Sequence, residues 1–569
     1  MVHFRLAFFG VGLVLASQTW VKAQLVSPNV EGFYYTITNA AAKAGFDVST
    51  LTNTTSTYKE SVAAYFWGYP LEEMWRTQQL ISNNYGFGVN QLFAPGIVNN
   101  STTVVAPNMN VLNATGFLDL SGNNAFVLTV PNTTSTGTYN IMEMLNAYSD
   151  VTHSFGTRNF QTGAANNSGG NYLLVGPNFS SPQTLPSNIT AVVTNATAQA
   201  WLIGRVQVDP YVTNTLGGSN TPYNNLAGGS ANVFSPDNSK TIVQSYGLTE
   251  LTNFIAGGTT LPVTTSNATQ AQLIVAALNA NTMTGQKFFE YVGTNVAYSG
   301  LNSVVGQTNN QATMYSRFSG IGFSTNGYTA PDSTTQETMN LAASNAAAML
   351  TQMGNNTTLL NTNSTTSTGW VVSTTAGSYT NTYQGWLNAA VTAKVGLGAN
   401  LATDATYPQT TVDSNGNALN GNNQYTMTFG AGQMPPVEGF WSLTVYDLAG
   451  NVVANTGNTF YGDNVFSISS MQMINVLGSS YDTTSVSLLL QSEAPTDSGL
   501  MPYWLPTPAG QDFELILRMY FPDGTSSSSS ILNGTYTVPG VQLVPEPSVT
   551  GLFLVGLAGL FGLRRSRRS

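Results

Sequence analysis

Phe440-Trp441-Ser442-Leu443-Thr444-Val445-Tyr446-Asp447 is the stretch that decides the fold. Trp441, Leu443 and Val445 alternate with Ser442 and Thr444, the period of two that sends successive side chains to opposite faces of a β-strand. Working outward, residues 425–429, 486–490 and 513–520 read the same way, and a final strand is expected at 536–538 after the serine-rich loop 526–530. Short β-rich runs broken by Gly, Pro and Asn point to a sandwich or jelly roll.

The same period recurs near the N-terminus, at 117–120, 125–130, 139–144, 172–175 and 201–208. Pro131, Pro177 and Pro210 stand just past three of these runs, where a strand ends without losing a ladder donor. Between the two β regions the pattern turns helical, with candidates at 270–280, 285–292, 335–353 and 383–397 separated by Asn/Thr/Ser/Gly tracts. Ahead of everything lie a short helix expected at 40–46 and a longer one at 58–81. In the latter, Val62, Tyr65, Phe66 and Tyr69 mark one buried face, and Pro70 is expected to kink or interrupt it. The fold class read from this order is mainly β with a helical insert (α+β). Two sandwich-like domains, 61–209 and 401–542, flank a helical region 210–400, after a leader 24–60.

Composition removes several function classes. Only 7% of residues are charged, and there is no cysteine, so disulfides, thiolate nucleophiles, zinc–thiolate sites and iron–sulfur clusters are excluded. His3 and His153 are the two histidines, so no His-rich metal site forms within the chain. No cofactor or metal is expected. Without its two ends the body keeps ten basic and twenty-five acidic side chains, a formal charge of −15 against −10 for the whole chain. A body of that sign does not bind nucleic acid.

The ends read as addresses. His3 and Arg5 precede an apolar stretch over 6–17, and Val21-Lys22-Ala23 reads as a cleavage site, so residues 1–23 are expected to be a signal peptide. At the other end Pro545-Glu546-Pro547 precedes an apolar run over 549–563 and a tail of four arginines. Fifteen helical residues reach about 22 Å, short of the ~30 Å hydrocarbon core, so the segment 543–569 suits transient anchoring better than a permanent span. The positive-inside rule keeps the arginines in the cytoplasm and the body outside. This tail resembles the PEP-CTERM sorting signal of Gram-negative bacteria. The resemblance implies an exosortase-type partner that reads Pro545, Glu546 and Pro547, and delivery to the cell surface or an exopolysaccharide matrix, with membrane contact only through the C-terminal segment.

A second resemblance covers roughly 65–538. Tyr69-Pro70, Pro107-Asn108, Leu118-Asp119-Leu120, Met142-x-Met144-Leu145-x-Ala147-Tyr148-x-Asp150, Gly156-Thr157-Arg158, Leu173-Leu174-Val175-Gly176-Pro177 and Ile203-Gly204-Arg205 are similar to domain of unknown function 1254. Gly396-Leu397-Gly398-Ala399-Asn400, Asp404-Ala405-x-Tyr407-Pro408, the run from Pro435 to Asp447, Trp504-Leu505-Pro506-x-Pro508-x-Gly510 and Leu517-Arg518-x-Tyr520 are similar to domain of unknown function 1214. The chain departs from that pattern twice. Relatives read Pro-Asn-x-Asp-Thr-Leu-Tyr where Pro107 to Asn113 stand here, and Gly-Asp-Arg where Gly462-Asp463-Asn464 stand, so a carboxylate, a phenol and a guanidinium are missing.

Candidate chemistry is sparse. His153, with Asp150 three residues before it, is the one imidazole base of the body, but no Gly-x-Ser-x-Gly elbow accompanies it. Arg158, Arg205 and Arg518 stand out among few cations and suit a small anionic ligand between the β domains. The competing reading is buried pairing with Asp119, Asp150 or Asp447. Asp119, Glu143, Asp150, Asp447 and Asp463 are eligible for two-carboxylate glycoside hydrolysis. Trp441, Trp504, Tyr446 and Tyr503 suit stacking on sugars, or else sit in the core. Asp413-x-Asn415-x-Asn417 begins like a calcium loop but lacks its glycine and its twelfth acid, which favours a turn. The function expected from these residues is a non-enzymatic exported surface or matrix protein that binds surface polysaccharide. The alternative is a secreted hydrolase of carbohydrate or ester that uses carboxylates.

Overall fold

The computed structural model describes residues 28–85, 88–96, 108, 110–158, 167–181, 184–208, 236–258, 261–262, 264–269, 285–301, 310–354, 366–448, 450–451 and 467–545. The expected signal peptide, the helix expected at 270–280, Pro107, Asp463, and Glu546 and Pro547 with the apolar run after them lie outside these residues.

Helix α1 (Val30–Lys43) begins well before the expected start at 40. Asn29 caps it by accepting from the Gly32 N–H, and Phe33, Ile37 and Ala41 form its buried stripe. Helix α2 (Ser56–Tyr85) contains Pro70 and continues through it, so the interruption that is one of the two expected outcomes does not occur. Residues 61–74 are buried without a break, so packing all round the helix outweighs the roughly 3 kcal/mol that an interior proline costs.

Helices α3 (Gln286–Ser299), α4 (Ser333–Gly354) and α5 (Tyr383–Gly396) pack around α2, and α1 contributes Phe33 and Ile37 to the same core. A Cβ on Gly68 would lie 2.7 Å from Val292 Cγ1, so glycine is what lets α2 and α3 approach this closely. The N-terminal leader and the central helices therefore build one helical body, although the first β region separates its two parts in sequence.

The first β domain contains β1 (Phe93–Gly96), β2 (Val111–Asp119), β3 (Ala125–Val130), β4 (Asn140–Asn146), β5 (Val151–Gly156), β6 (Gly170–Val175), β7 (Ala191–Thr194), β8 (Gln199–Gln207), β9 (Gly247–Glu250), β10 (Leu261–Pro262) and β11 (Thr264–Thr269). They form a six-stranded sheet in the order β11-β1-β2-β8-β4-β5 and a five-stranded sheet in the order β10-β9-β3-β6-β7. Leu112, Leu118, Met142 and Leu202 meet Leu128 and Leu174 between the sheets, which makes a sandwich. The six-stranded sheet is buried on its outer face too. Phe117, Leu145 and Trp201 pack with Met74 of α2, and Val111, Tyr139 and Ile141 pack with Phe440 and Tyr520 of the C-terminal domain.

A short hairpin, β12 (Phe323–Ser324) with β13 (Gly327–Tyr328), packs on the helical body, and the C-terminal domain contains β14 (Ala405–Thr406), β15 (Gln409–Thr410), β16 (Tyr425–Phe429), β17 (Val437–Asp447), β18 (Ser467–Ser469), β19 (Val486–Gln491), β20 (Trp504–Pro506), β21 (Phe513–Pro522) and β22 (Val541–Leu543). The sheets run β14-β21-β17-β18, with β15 also on β21, and β20-β19-β16-β22. Trp441, Leu443 and Val445 point into the core between them, as the alternation in the opening stretch requires. The strand expected at 536–538 is not formed. Tyr536 and Val538 are buried, but Pro539 offers no ladder donor and the chain pairs with β16 only from Val541. The fold is mixed, with several β-sheets and helices, as the sequence reading expects. No helix among the described residues is long and apolar enough to cross a membrane.

Candidate functional site at the junction of the β domains

The outer face of the first sandwich meets a polar face of the second. On β4 and β8, Glu143 pairs across the ladder with Ile203, and Arg205 with Ile141, so both ionic side chains leave the sheet on its outer side. Arg205 Nη1 lies 2.5 Å from Glu143 Oε2, and its Nη2 donates to Gly398 O at 2.9 Å. Gly398 has φ +83°, and a Cβ there would lie 2.6 Å from Ile203 Cδ1, so this carbonyl reaches the guanidinium only because residue 398 is glycine. The other Glu143 oxygen accepts from Leu401 N at 3.3 Å.

A second pair crosses the same junction. Arg158, just past β5, binds Asp404 through Nε and, at 2.8 Å, through Nη2. Ser154 Oγ donates to Asp404 Oδ2 at 2.5 Å, and the Tyr139 hydroxyl donates to Asp404 O at 3.2 Å. Asp404 and Glu143 are fully buried. Burial pushes the Glu143 carboxyl up to about 7; Arg205 pulls it down, and the neighbouring Asp404 charge raises it.

Arg518 lies beside these pairs. Its Nη1 donates to Thr444 Oγ1 at 3.3 Å, and its guanidinium sits 5.4 Å from the Tyr446 ring centre. Tyr520, two residues on, stacks on Phe440 at 4.4 Å and accepts from Asn108 Nδ2. Tyr407 donates to Asn400 Oδ1 at 2.6 Å. Two fully buried amide donors, Asn110 Nδ2 and Asn400 Nδ2, have no acceptor. A buried donor left unmet costs about 1–3 kcal/mol, so these two amides detract from the stability that the ion pairs supply. The cluster can clamp two domains together.

The sequence candidates divide cleanly. Arg158, Arg205 and Arg518 converge here. Arg158 and Arg205 pair with Asp404 and Glu143, rather than with Asp119, Asp150 or Asp447. Asp150 accepts from Tyr379 N at 2.9 Å, which ties the turn between β4 and β5 to a distant segment, and Asp447 accepts from Asn451 N at 2.8 Å, which organises a turn. His153 faces the opposite side of β5 from Ser154, the side on which Phe155 enters the sandwich core. Burial alone pulls its imidazole down to about 4. Trp441 and Trp504 are core residues whose indole N–H groups donate to Tyr481 OH and Gln491 O, each at 2.8 Å, so they offer no face to a sugar. Asp413 accepts from Asn415 N and Asn417 N at 2.8 and 2.9 Å, the turn expected in place of a calcium loop. No group of acidic or imidazole side chains suited to a metal occurs among the described residues. Sequence reasoning did not nominate Tyr139, Ser154, Asn400 or Asp404 for this site. Asp404 and Asn400 stand in the quoted motifs, which was the available signal.

Residues 89–215 match the family described as protein of unknown function (DUF1254), and residues 404–524 match protein of unknown function (DUF1214). Both regions of the tandem are matched. Asn108, Glu143, Arg158 and Arg205 come from the first region and Asp404, Arg518 and Tyr520 from the second, so the two regions meet at the polar cluster. Among solved structures, the VPA0106 protein from Vibrio parahaemolyticus superposes with a TM-score of 0.54 at 16% identity, covering 86% of this chain and all of that one, a likeness of fold. An uncharacterized protein from Burkholderia cenocepacia superposes with a TM-score of 0.36 at 9% identity, covering 90% of this chain and 96% of that one. No curated protein matches.

Proposed function

We propose that this chain is an exported, non-catalytic surface or matrix protein whose two β domains are clamped into one rigid body and which binds acceptor-rich surface polymer without cutting it. The observation that carries the reading is the Arg158–Asp404 pair. It joins the first β domain to the second, is buried, and is completed by Ser154 and Tyr139. Among the described residues, the nominated acids Asp119, Asp150 and Asp447 accept from backbone N–H groups and Glu143 forms a second buried pair, and His153 is held neutral away from Ser154. Low charge and abundant amide and hydroxyl side chains suit contact with a hydrated polysaccharide. Delivery rests on the C-terminal box, read by an exosortase-type enzyme after export through the N-terminal signal.

One observation favours the hydrolase alternative. Glu143 titrates near neutrality beside Asp404, the environment of a general acid with a second carboxylate. Against it, both carboxyls are closed from solvent and bound to arginines.

Delivery is tested by Glu546→Ala in the native host. The variant should remain as full-length precursor in the membrane fraction, while the parent is released at lower mass. Normal release and mass in the variant would remove the sorting assignment.

A further inference from the structure

The last strand among the described residues, β22, ends two residues before Pro545. In β22, Val541, Gln542 and Leu543 pair with Met427, Thr426 and Tyr425 of β16, and Val544 N then donates to Gln424 O at 2.8 Å. Two further bonds secure the strand: Ser414 N to Val541 O at 2.8 Å, and Gln542 Nε2 to Ser414 Oγ at 2.7 Å. Val541 is fully buried, whereas Leu543 and Val544 are 41% and 38% exposed. Pro545, the first residue of the box, follows with no linker between it and the hydrogen-bonded backbone.

A protein that reads an extended peptide can do so by adding it as a strand to a sheet edge, through hydrogen bonds to the peptide backbone. The residues upstream of Pro545 already have one backbone edge bonded to β16. One extended residue spans only about 3.5 Å, too little to carry the box away from the domain into a separate cleft. β22 is the edge strand of its sheet and is held by three residue pairs, so it is the element that can yield. Resting on the sorting reading above, we infer that β22 must detach from β16 before the box is processed, so the folded C-terminal sandwich sets the processing rate through the population of that opened state.

The absence of cysteine supplies a clean test. Thr426 and Gln542 are directly opposed, and opposed residues of an antiparallel pair have Cα atoms about 4.5–5.5 Å apart, within disulfide range. The double variant Thr426→Cys/Gln542→Cys can form only one intramolecular disulfide. In a pulse–chase of the full chain in its native host, the oxidised double variant should convert from precursor to mature mass at least about tenfold more slowly than either single variant, and reductant should restore the rate. Val541→Ala, which weakens the buried anchor, should speed conversion. Conversion of the oxidised double variant at the single-variant rate would overturn the inference. If unmodified chain is not converted, or Glu546→Ala is converted normally, the sorting reading itself fails; that result is scored on chains without the lock and is therefore separate.

Discussion

At the scale of the residue, the strongest single determinant is Asp404. It is fully buried, receives two bonds from Arg158 and one from Ser154, and stands where the β domains touch. Removing one partner of a buried ion pair leaves the other uncompensated, at a cost of about 3–5 kcal/mol. Asp404→Leu should therefore lower unfolding free energy in denaturant by that order, and Ser154→Ala by only about 1 kcal/mol. Equal, small losses for both would contradict the clamp. Glu72 on α2 makes a second prediction. Burial, with the Glu73 charge beside it, pushes its carboxyl up from an ordinary 4.5 to about 8, partly offset by Arg76. A carboxyl raised on folding contributes stability that is complete below about 4.5 and is lost as pH rises toward 8. Glu72→Gln should flatten the fall of melting temperature between pH 5 and 8, a slope of at most about 1.4 kcal/mol per pH unit from this one group. An unchanged profile in that variant would mean that Glu72 is ionised in the folded protein.

At the scale of the element, close packing of α2 decides more than its propensities do. Gly68→Ala gains helix propensity of about 1 kcal/mol but drives a methyl against Val292, and overpacking costs about 1–3 kcal/mol. The variant should be destabilised, and adding Val292→Ala should recover part of the loss in a double-mutant cycle; a stabilised Gly68→Ala would show that the seam can relax. The same helix shows where sequence reading stops. Tyr65, Phe66 and Tyr69 announce a helix, but nothing local says that both sides of Pro70 will be buried and keep the helix continuous there. Strands β3 and β16 fall on the expected residues because alternation and bounding turns are local signals. β5 was not anticipated, since Val151 to Gly156 carries His and Ser in place of an apolar run and is fixed by pairing with β4. The site followed the same rule: the arginines stood out by rarity, while their partners Glu143 and Asp404 depend on which sheet faces meet, a tertiary fact.

At the scale of the whole molecule, one helical body and two sandwiches share buried surface through the outer face of the six-stranded sheet, whose strands are consequently buried on both sides. The matched regions, 89–215 and 404–524, supply the two sides of the polar junction, so neither region holds the complete cluster by itself. A molecule built this way suits rigid presentation, with β22, Val544 and Pro545 at the end of the second sandwich. The central claim is that the buried junction clamps the two β domains and does not react. The most direct measurement incubates mature protein with extracted surface polysaccharide and a panel of esters, following bound polymer, new reducing ends and released acid together. The account predicts retention of polymer at unchanged chain length and no turnover. Reproducible turnover that disappears in a folded Glu143→Gln variant would contradict it and assign the junction to hydrolysis.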